Sequence, residues 1–171
     1  VDYDVLIKAE NGATLTGNTS SVLNDNLTLK NMNINKLNTN TFIRQNNGHL
    51  SIYNCFLSEN KLSVLFDCSD VDISKSVLIN NDALLIRNNG FSQIRDSIVL
   101  NNSDIIQGNN NYSLDYNWWG STLGNLSKPN NLNINKWIVL NVTCDKHSLE
   151  QNQIASMDVS FYLNDPILKY T

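Results

Sequence analysis

The 171-residue sequence has few of the residues that build metal centres, disulfide frameworks or nucleic-acid surfaces. It contains three cysteines and two histidines, and the cysteine spacing fits neither a zinc site nor a disulfide scaffold. The net charge is −4 without a basic stripe, so nucleic-acid binding is not expected. No apolar run reaches the roughly 18 residues of a membrane span. No signal peptide is visible, and an export signal or anchor is expected only outside these residues.

Helical periodicity is also missing, and what is present instead is a repeat. The anchor residues of five similar segments lie 23, 21, 21 and 20 positions apart. A fixed period of this length is typical of solenoids, in which stacked units share one core. The five segments are Leu27-Thr-Leu29-Lys-Asn31-Met-Asn-Ile34, Leu50-Ser-Ile52-Tyr-Asn54-Cys-Phe-Leu57, Val71-Asp-Ile73-Ser-Lys75-Ser-Val-Leu78, Ser92-Gln-Ile94-Arg-Asp96-Ser-Ile-Val99 and Tyr112-Ser-Leu114-Asp-Tyr116-Asn-Trp-Trp119.

Each repeat begins with an apolar–polar alternation that indicates a half-buried strand. A second apolar patch follows about a dozen residues later, and breaks rich in Asn and Gly separate the patches. The pattern predicts an all-β fold, a right-handed parallel β-helix of about five to six coils, with anchors Leu29, Ile52, Ile73, Ile94 and Leu114 in one internal column. A β-sandwich is the alternative, but it does not explain the constant offsets.

Asparagine supplies 31 of the 171 residues. One interpretation is a ladder of buried turn amides that hydrogen-bond along the stack, for which Asn31 and Asn54 hold equivalent positions. The ladder would stop at Lys75, Asp96 and Tyr116, where other residues stand. The other interpretation is a coding bias of an AT-rich genome, and both are expected to contribute.

Cys55 aligns with Met32, Ser76 and Ser97, so we expect a buried free thiol. A Cys55–Cys68 bridge within one coil is the alternative. Six glycosylation sequons occur, about as many as chance predicts from this composition. They begin at Asn18, Asn26, Asn101, Asn111, Asn125 and Asn141.

The fifth repeat differs from the others because Trp118 and Trp119 replace aliphatic residues, and Gly120 follows them. Terminal repeats often close a solenoid core, so these three residues are predicted to form a structural cap. Sugar stacking on an exposed Trp ring is the functional alternative. The period is then lost, and two alternating segments at 137–144 and 155–163 predict antiparallel strands. We therefore expect a β-helix domain at 1–128 and C-terminal strands at 129–171.

The sequence resembles the adhesin-like surface proteins of methanogenic archaea. The resemblance rests on the Leu-Thr-Leu-Lys-Asn and Leu-Ser-Ile-Tyr-Asn-Cys coils, on Asn117-Trp-Trp-Gly120 and on Trp137-Ile-Val-Leu-Asn-Val-Thr143. It implies an extracellular location at the cell surface, and it implies that 129–171 is either the start of a truncated immunoglobulin-like domain or a cap. The chain departs from the family pattern by its Cys144 and by ending before a full immunoglobulin-like sandwich could form.

Outward residues of the first strand of each repeat form two columns, Thr28/Ser51/Asp72/Gln93/Ser113 and Lys30/Tyr53/Ser74/Arg95/Asp115. From these, Tyr53, Arg95, Asp115, Lys30 and Asp72 are the candidate ligand-binding residues, and an ordinary solvated sheet face is the alternative. A glycosidase would need two suitably spaced carboxylates, but Asp72 and Asp115 stand in different columns.

We therefore expect an adhesin-like, non-enzymatic module for binding or spacing, attached to a glycan or protein of another cell. The alternative is a polysaccharide lyase or hydrolase of the β-helix class. No cofactor, metal or catalytic residue is predicted. Self-association through the C-terminal strands is a further expectation, because an unpaired strand edge recruits another strand.

Overall fold

The computed structural model describes residues 5–18, 20–109, 111–120 and 132–164, which form fifteen β-strands and no helix. Consequently, the described part of the chain has no helix capable of crossing a membrane. The strands are β1 Val5–Gly17, β2 Ser21–Leu23, β3 Leu27–Leu37, β4 Thr41–Tyr53, β5 Phe56–Ser58, β6 Lys61–Ser74, β7 Val77–Ile79, β8 Asp82–Asn88, β9 Ser92–Arg95, β10 Ile98–Leu100, β11 Asp104–Gly108, β12 Tyr112–Ser113, β13 Asn117–Trp118, β14 Trp137–Cys144 and β15 Met157–Leu163.

Successive repeats pair in parallel with the register that the sequence predicts. Leu29 stands beside Ile52, Ile52 beside Ile73, and Ile73 beside Ile94. Leu114 follows Ser113, which stands beside Gln93, and all five anchors are at most 3% exposed. The chain is thus a parallel β-solenoid of about six turns, which confirms the predicted fold class and excludes the sandwich.

The array extends beyond the predicted repeats at both ends. β1 adds an earlier turn, with Ile7 beside Leu29. At the other end Ile134, 20 residues after Leu114, is buried in the same core, and Trp118 stands beside Ile138 in parallel register. The parallel stack therefore continues past the predicted domain boundary, which itself lies outside the described residues. Antiparallel pairing begins only between β14 and β15.

The first corner of each turn is a left-handed residue followed by an inward side chain. The left-handed residues have φ between 50° and 64° and are Asn31, Asn54, Lys75, Asp96 and Tyr116. From Cys55 onwards, the inward side chain bonds backbone groups that the corner would leave unpaired, whereas Met32 at the earliest of these corners is apolar. Ser76 Oγ, for example, accepts from Cys55 N at 3.1 Å and donates to Ser74 O at 2.8 Å. Ser97 and Asn117 repeat this arrangement one and two turns further on.

A second corner has the same design, with left-handed Lys36, Glu59, Asn80 and Asn101. Here the inward residues are Asn60, Asn81 and Asn102, whose amides bond one another at 2.8 and 2.7 Å. Each amide also donates to a backbone carbonyl of the preceding turn. This internal ladder was not predicted. The predicted contact of Asn54 with Asn31 is present at 2.9 Å, on the outside of the first corner.

Candidate functional site

The two outward columns lie in register on the flat face formed by β3, β4, β6, β9 and β12. Thr28, Ser51, Asp72, Gln93 and Ser113 are successive neighbours in one column. Lys30, Tyr53, Ser74 and Arg95 are successive neighbours in the other. Neighbouring strands in a sheet are about 4.8 Å apart, so the columns place side chains at a spacing set by the turns.

Tyr53 lies between two ammonium groups. Lys30 Nζ is 4.7 Å and Lys75 Nζ is 5.5 Å from the centroid of its ring. Cations at such distances are attracted by the ring quadrupole. In the described part of the chain neither lysine forms a salt bridge. Lys75 was not among the predicted site residues, and it reaches the ring from the first corner.

Arg95 belongs to a separate, charge-paired group. Its Nη2 lies 3.7 Å from Asp72 Oδ2, and its Nη1 lies 3.1 Å from Asp96 Oδ2. Ser74, only 7% exposed, stands between Arg95 and Tyr53 in the column. The structure therefore brings Lys30 to Tyr53 and Asp72 to Arg95, and it separates these two pairs by one turn.

Asp115, unlike the other candidate residues, binds backbone groups of the last turn. Its Oδ1 accepts hydrogen bonds from Asn135 N at 2.8 Å and from Lys136 N at 3.1 Å. These bonds attach the last turn to the fifth repeat. The described residues contain no group of three or more His, Cys, Asp or Glu that could hold a metal ion.

An open groove along the first corner was missed by the sequence analysis. It has a volume of about 510 Å³ and is lined by Asn31, Asn33, Asn54, Phe56 and Lys75, among other residues. Phe56 is 41% exposed and stands between Asn33 and Val77 on neighbouring turns. The signal in the sequence was an aromatic residue at an outward position. Lys75 connects this groove to the Tyr53 ring.

The two tryptophans differ in their surroundings. Trp119 is 2% exposed and part of the core. Trp118 is half-buried and lines an apolar cavity of about 330 Å³ with Ile98, Ile138 and Phe161, among other residues. Gly120 follows with φ of 87°. Trp118 is thus the ring that a small apolar group would meet first.

The sequons occupy unlike settings. Asn18, Asn26, Asn101 and Asn111 are exposed, and Asn141 is half-buried in β14. The side chains of two of the exposed asparagines are hydrogen-bonded. Asn26 Oδ1 accepts from His49 N at 2.7 Å, and Asn101 Nδ2 donates to Asn80 Oδ1 at 3.2 Å. Asn125 lies outside the described residues.

All three cysteines are free, so the alternative of a Cys55–Cys68 bridge is wrong. Burial raises the pKa of Cys55, and burial together with the nearby Asp67 charge raises the pKa of Cys68 to about 12. Cys144 is exposed. Since the thiolate is the reactive form, the three thiols should differ widely in reactivity.

We expect iodoacetamide at pH 8 to alkylate Cys144 within minutes and to leave Cys55 and Cys68 unmodified until the protein unfolds. A thiol whose pKa is higher in the folded than in the unfolded protein stabilises the fold. For Cys68 this stabilisation is fully present below the ordinary pKa of 9.0 and is lost as the pH rises towards about 12. Peptide mass spectrometry with and without denaturant measures how much of each cysteine is alkylated in the folded and in the unfolded protein. Rapid modification of Cys68 in the folded protein would contradict the prediction.

Comparison of the chain with family models, curated proteins and solved structures gives no match. The function can therefore be inferred only from the geometry of the site and from the resemblance that the sequence shows.

Proposed function

We propose that the chain is a binding or spacing module of an adhesin-like protein displayed at the cell surface. The binding role is supported by the Tyr53 ring, which has two lysines near it and lies beside the groove that Phe56 lines. The resemblance to adhesin-like proteins of methanogenic archaea supports the surface location. The regular stack supports a spacing role, since each turn lengthens the array without a change in its cross-section.

The chemistry of the site favours a glycan as ligand. Phe56 offers an exposed apolar ring, and the amides of Asn33 and Asn54 lie along the same groove, where Asn54 Nδ2 also donates to Asn31 Oδ1 at 2.9 Å. Aromatic faces and polar groups at fixed spacing suit sugar rings, which have apolar faces and polar edges. The two ammonium groups at Tyr53 favour a sugar that carries a carboxylate or sulfate.

A polysaccharide lyase or hydrolase is the competing function. Asp72 is paired with Arg95, and Asp115 accepts two backbone hydrogen bonds. Both carboxylates therefore have a structural role, which favours binding over turnover. Release of new reducing or unsaturated ends from pectin or alginate would overturn the proposal in favour of the enzyme.

A glycan array with the purified chain tests the proposal. We expect binding to acidic glycans, with affinity reduced about tenfold by Tyr53→Ala, a loss of about 1.4 kcal/mol, and by a similar amount in Tyr53→Ala/Arg95→Ala, because Arg95 is paired with Asp72 and Asp96 outside the groove. Phe56→Ala should also weaken binding. Phe91→Ala is the matched control, because this ring is 42% exposed but does not line the groove.

Two results would redirect the proposal. Equal binding by the parent and the Tyr53→Ala/Arg95→Ala variant would remove this site. No binding to any glycan would leave the spacing role as the function of the array.

A further inference from the structure

The outermost strand of the sheet, β15, offers an unpaired backbone edge. It pairs with β14 on one side, and no other strand of the described residues pairs with it. Asn164 N donates to Trp137 O at 2.8 Å, and Asp145 N donates to Ser156 O at 3.1 Å. In an antiparallel pair the backbone N–H and C=O groups of successive residues point to alternate sides of the strand. The backbone groups of the even-numbered residues of β15 therefore point towards β14. The N–H and C=O groups of Met157, Val159, Phe161 and Leu163 therefore point to the other side.

The side chains of β15 are self-complementary about Ser160. If a second copy pairs antiparallel with Ser160 opposite Ser160, then Met157 faces Leu163 and Val159 faces Phe161. On the opposite surface Asp158 faces Tyr162. Every apolar residue meets an apolar residue and no like charges meet, which is the arrangement that stabilises cross-strand pairs.

Ser160 itself has an unfulfilled hydrogen bond. It is only 8% exposed, and its buried hydroxyl has no hydrogen-bond partner among the described residues. In the symmetric register Ser160 forms a pair without backbone hydrogen bonds, the type in which side chains approach most closely. That hydroxyl is enclosed by its own chain, so the pairing depends on the backbone edge of β15 and on the apolar cross-strand contacts and not on a bond between the two hydroxyls.

β15 has few of the features that protect free edges, and its one charged residue is Asp158. β15 contains neither Pro nor Lys. Its apolar face is open: Val142 is 46% exposed, Val159 54%, Phe161 48% and Met157 67%. Val142 stands beside Val159, and Leu140 beside Phe161, so these side chains form one surface.

We propose that two copies of this chain associate through β15, paired antiparallel about a two-fold axis at Ser160. The two β14–β15 hairpins then pair through their β15 edges, and each hairpin stays joined through β14 to the sheet of its own solenoid. This contact is independent of the glycan site, because it lies beyond the last turn of the array. A dimer of this kind would present two copies of any surface site, which raises avidity without new contacts.

A disulfide across the proposed axis tests the register directly. Cα atoms in such a pair are about 4.5 Å apart, within the range that a disulfide spans. In a Cys144→Ser background, Ser160→Cys should form a covalent dimer under mild oxidation. Asp158→Cys is the matched control, because its two copies would lie about 13 Å apart, four residues along the strands. Equal cross-linking by the two variants, or none by either, would overturn the proposal.

A second pair of variants distinguishes edge pairing from packing of the apolar faces. Val159→Pro removes an outward N–H but no bond to β14, so it should convert the dimer to monomer in sedimentation velocity. Val142→Asp changes the apolar face on β14 and should leave the dimer intact. Edge pairing would be contradicted if Val142→Asp were monomeric while Val159→Pro stayed dimeric. It would also be contradicted if the parent protein were monomeric at roughly 100 µM. Circular dichroism confirms that each variant keeps its strand content.

Discussion

Replacement of Ile73 by aspartate is expected to abolish folding of the array. Ile73 is 0% exposed and stands between Ile52 and Ile94 in the internal column. A carboxylate there would have no partner and would lose its hydration on both sides, at a cost of several kcal/mol. Whole domains are stable by only about 5–15 kcal/mol. Because each turn contacts only its neighbours, a defect in the central turn disrupts both of the interfaces that it forms.

Two further variants separate charge burial from other effects. Thr28→Asp places the same charge on the outward side of the same sheet, beside Ser51, and should change stability by less than about 1 kcal/mol. Ile73→Val removes one methylene group without a charge and should cost about 0.5–1.5 kcal/mol. Far-UV circular dichroism and chemical denaturation measure all three. A cooperative transition of Ile73→Asp close to that of the parent would show that this column is not the core.

The register could be predicted because it depends on a local pattern. Apolar residues alternate with polar ones on each first strand, and a slip by one residue would expose the whole apolar set. The turn formed by β1 lies within the predicted β-helix domain at 1–128, but it was not recognised as a repeat because its register shifts between Lys8 and Ala13. The turn around Ile134 was missed although the 20-residue spacing continues, since the segment at 121–131 interrupts the pattern and no regular strand covers 132–136.

The candidate site was predicted only in part, for a different reason. Side chains on one strand face can be placed from alternation, so the neighbours Lys30 and Tyr53 were found together. Lys75 reaches Tyr53 from a left-handed corner, and a pattern of alternation does not determine the direction of a side chain there. The role of Asp115 depends on Asn135 and Lys136, which lie 20 and 21 residues further along the sequence.

The internal amide ladder was visible in the sequence but obscured by composition. Asn60, Asn81 and Asn102 are spaced by 21 residues, the same period as the anchors. With 31 asparagines in the chain, this spacing was not distinguished from chance. The residue before each is left-handed, and this conformation turns the amide inward, where it can bond the neighbouring turns.

Replacement of Asn81 by leucine should therefore be far more damaging than its small change in volume suggests. Asn81 is 1% exposed. Its Oδ1 accepts from Asn60 N and Asn60 Nδ2, and its Nδ2 donates to Leu57 O and Asn102 Oδ1. Leucine removes all four bonds and leaves the Asn60 N–H and the Leu57 carbonyl buried without these partners. At about 1–3 kcal/mol for each unsatisfied group, we expect a loss of about 3–5 kcal/mol.

Asn80→Lys is the matched control, since Asn80 is exposed at the preceding position with φ of 55°. Lysine already occupies the equivalent position at Lys36, with φ of 52°, so the corner accepts it. This variant removes only the exposed bond from Asn101, 3.2 Å long, and should cost less than about 1 kcal/mol. Urea denaturation of the two variants gives the comparison. If Asn81→Leu were no less stable than Asn80→Lys, burial of apolar side chains alone would hold the turns together and the ladder would contribute nothing. The larger loss is expected because the second corner leaves backbone groups without partners in the stack, and the inward amides of Asn60, Asn81 and Asn102 bond them.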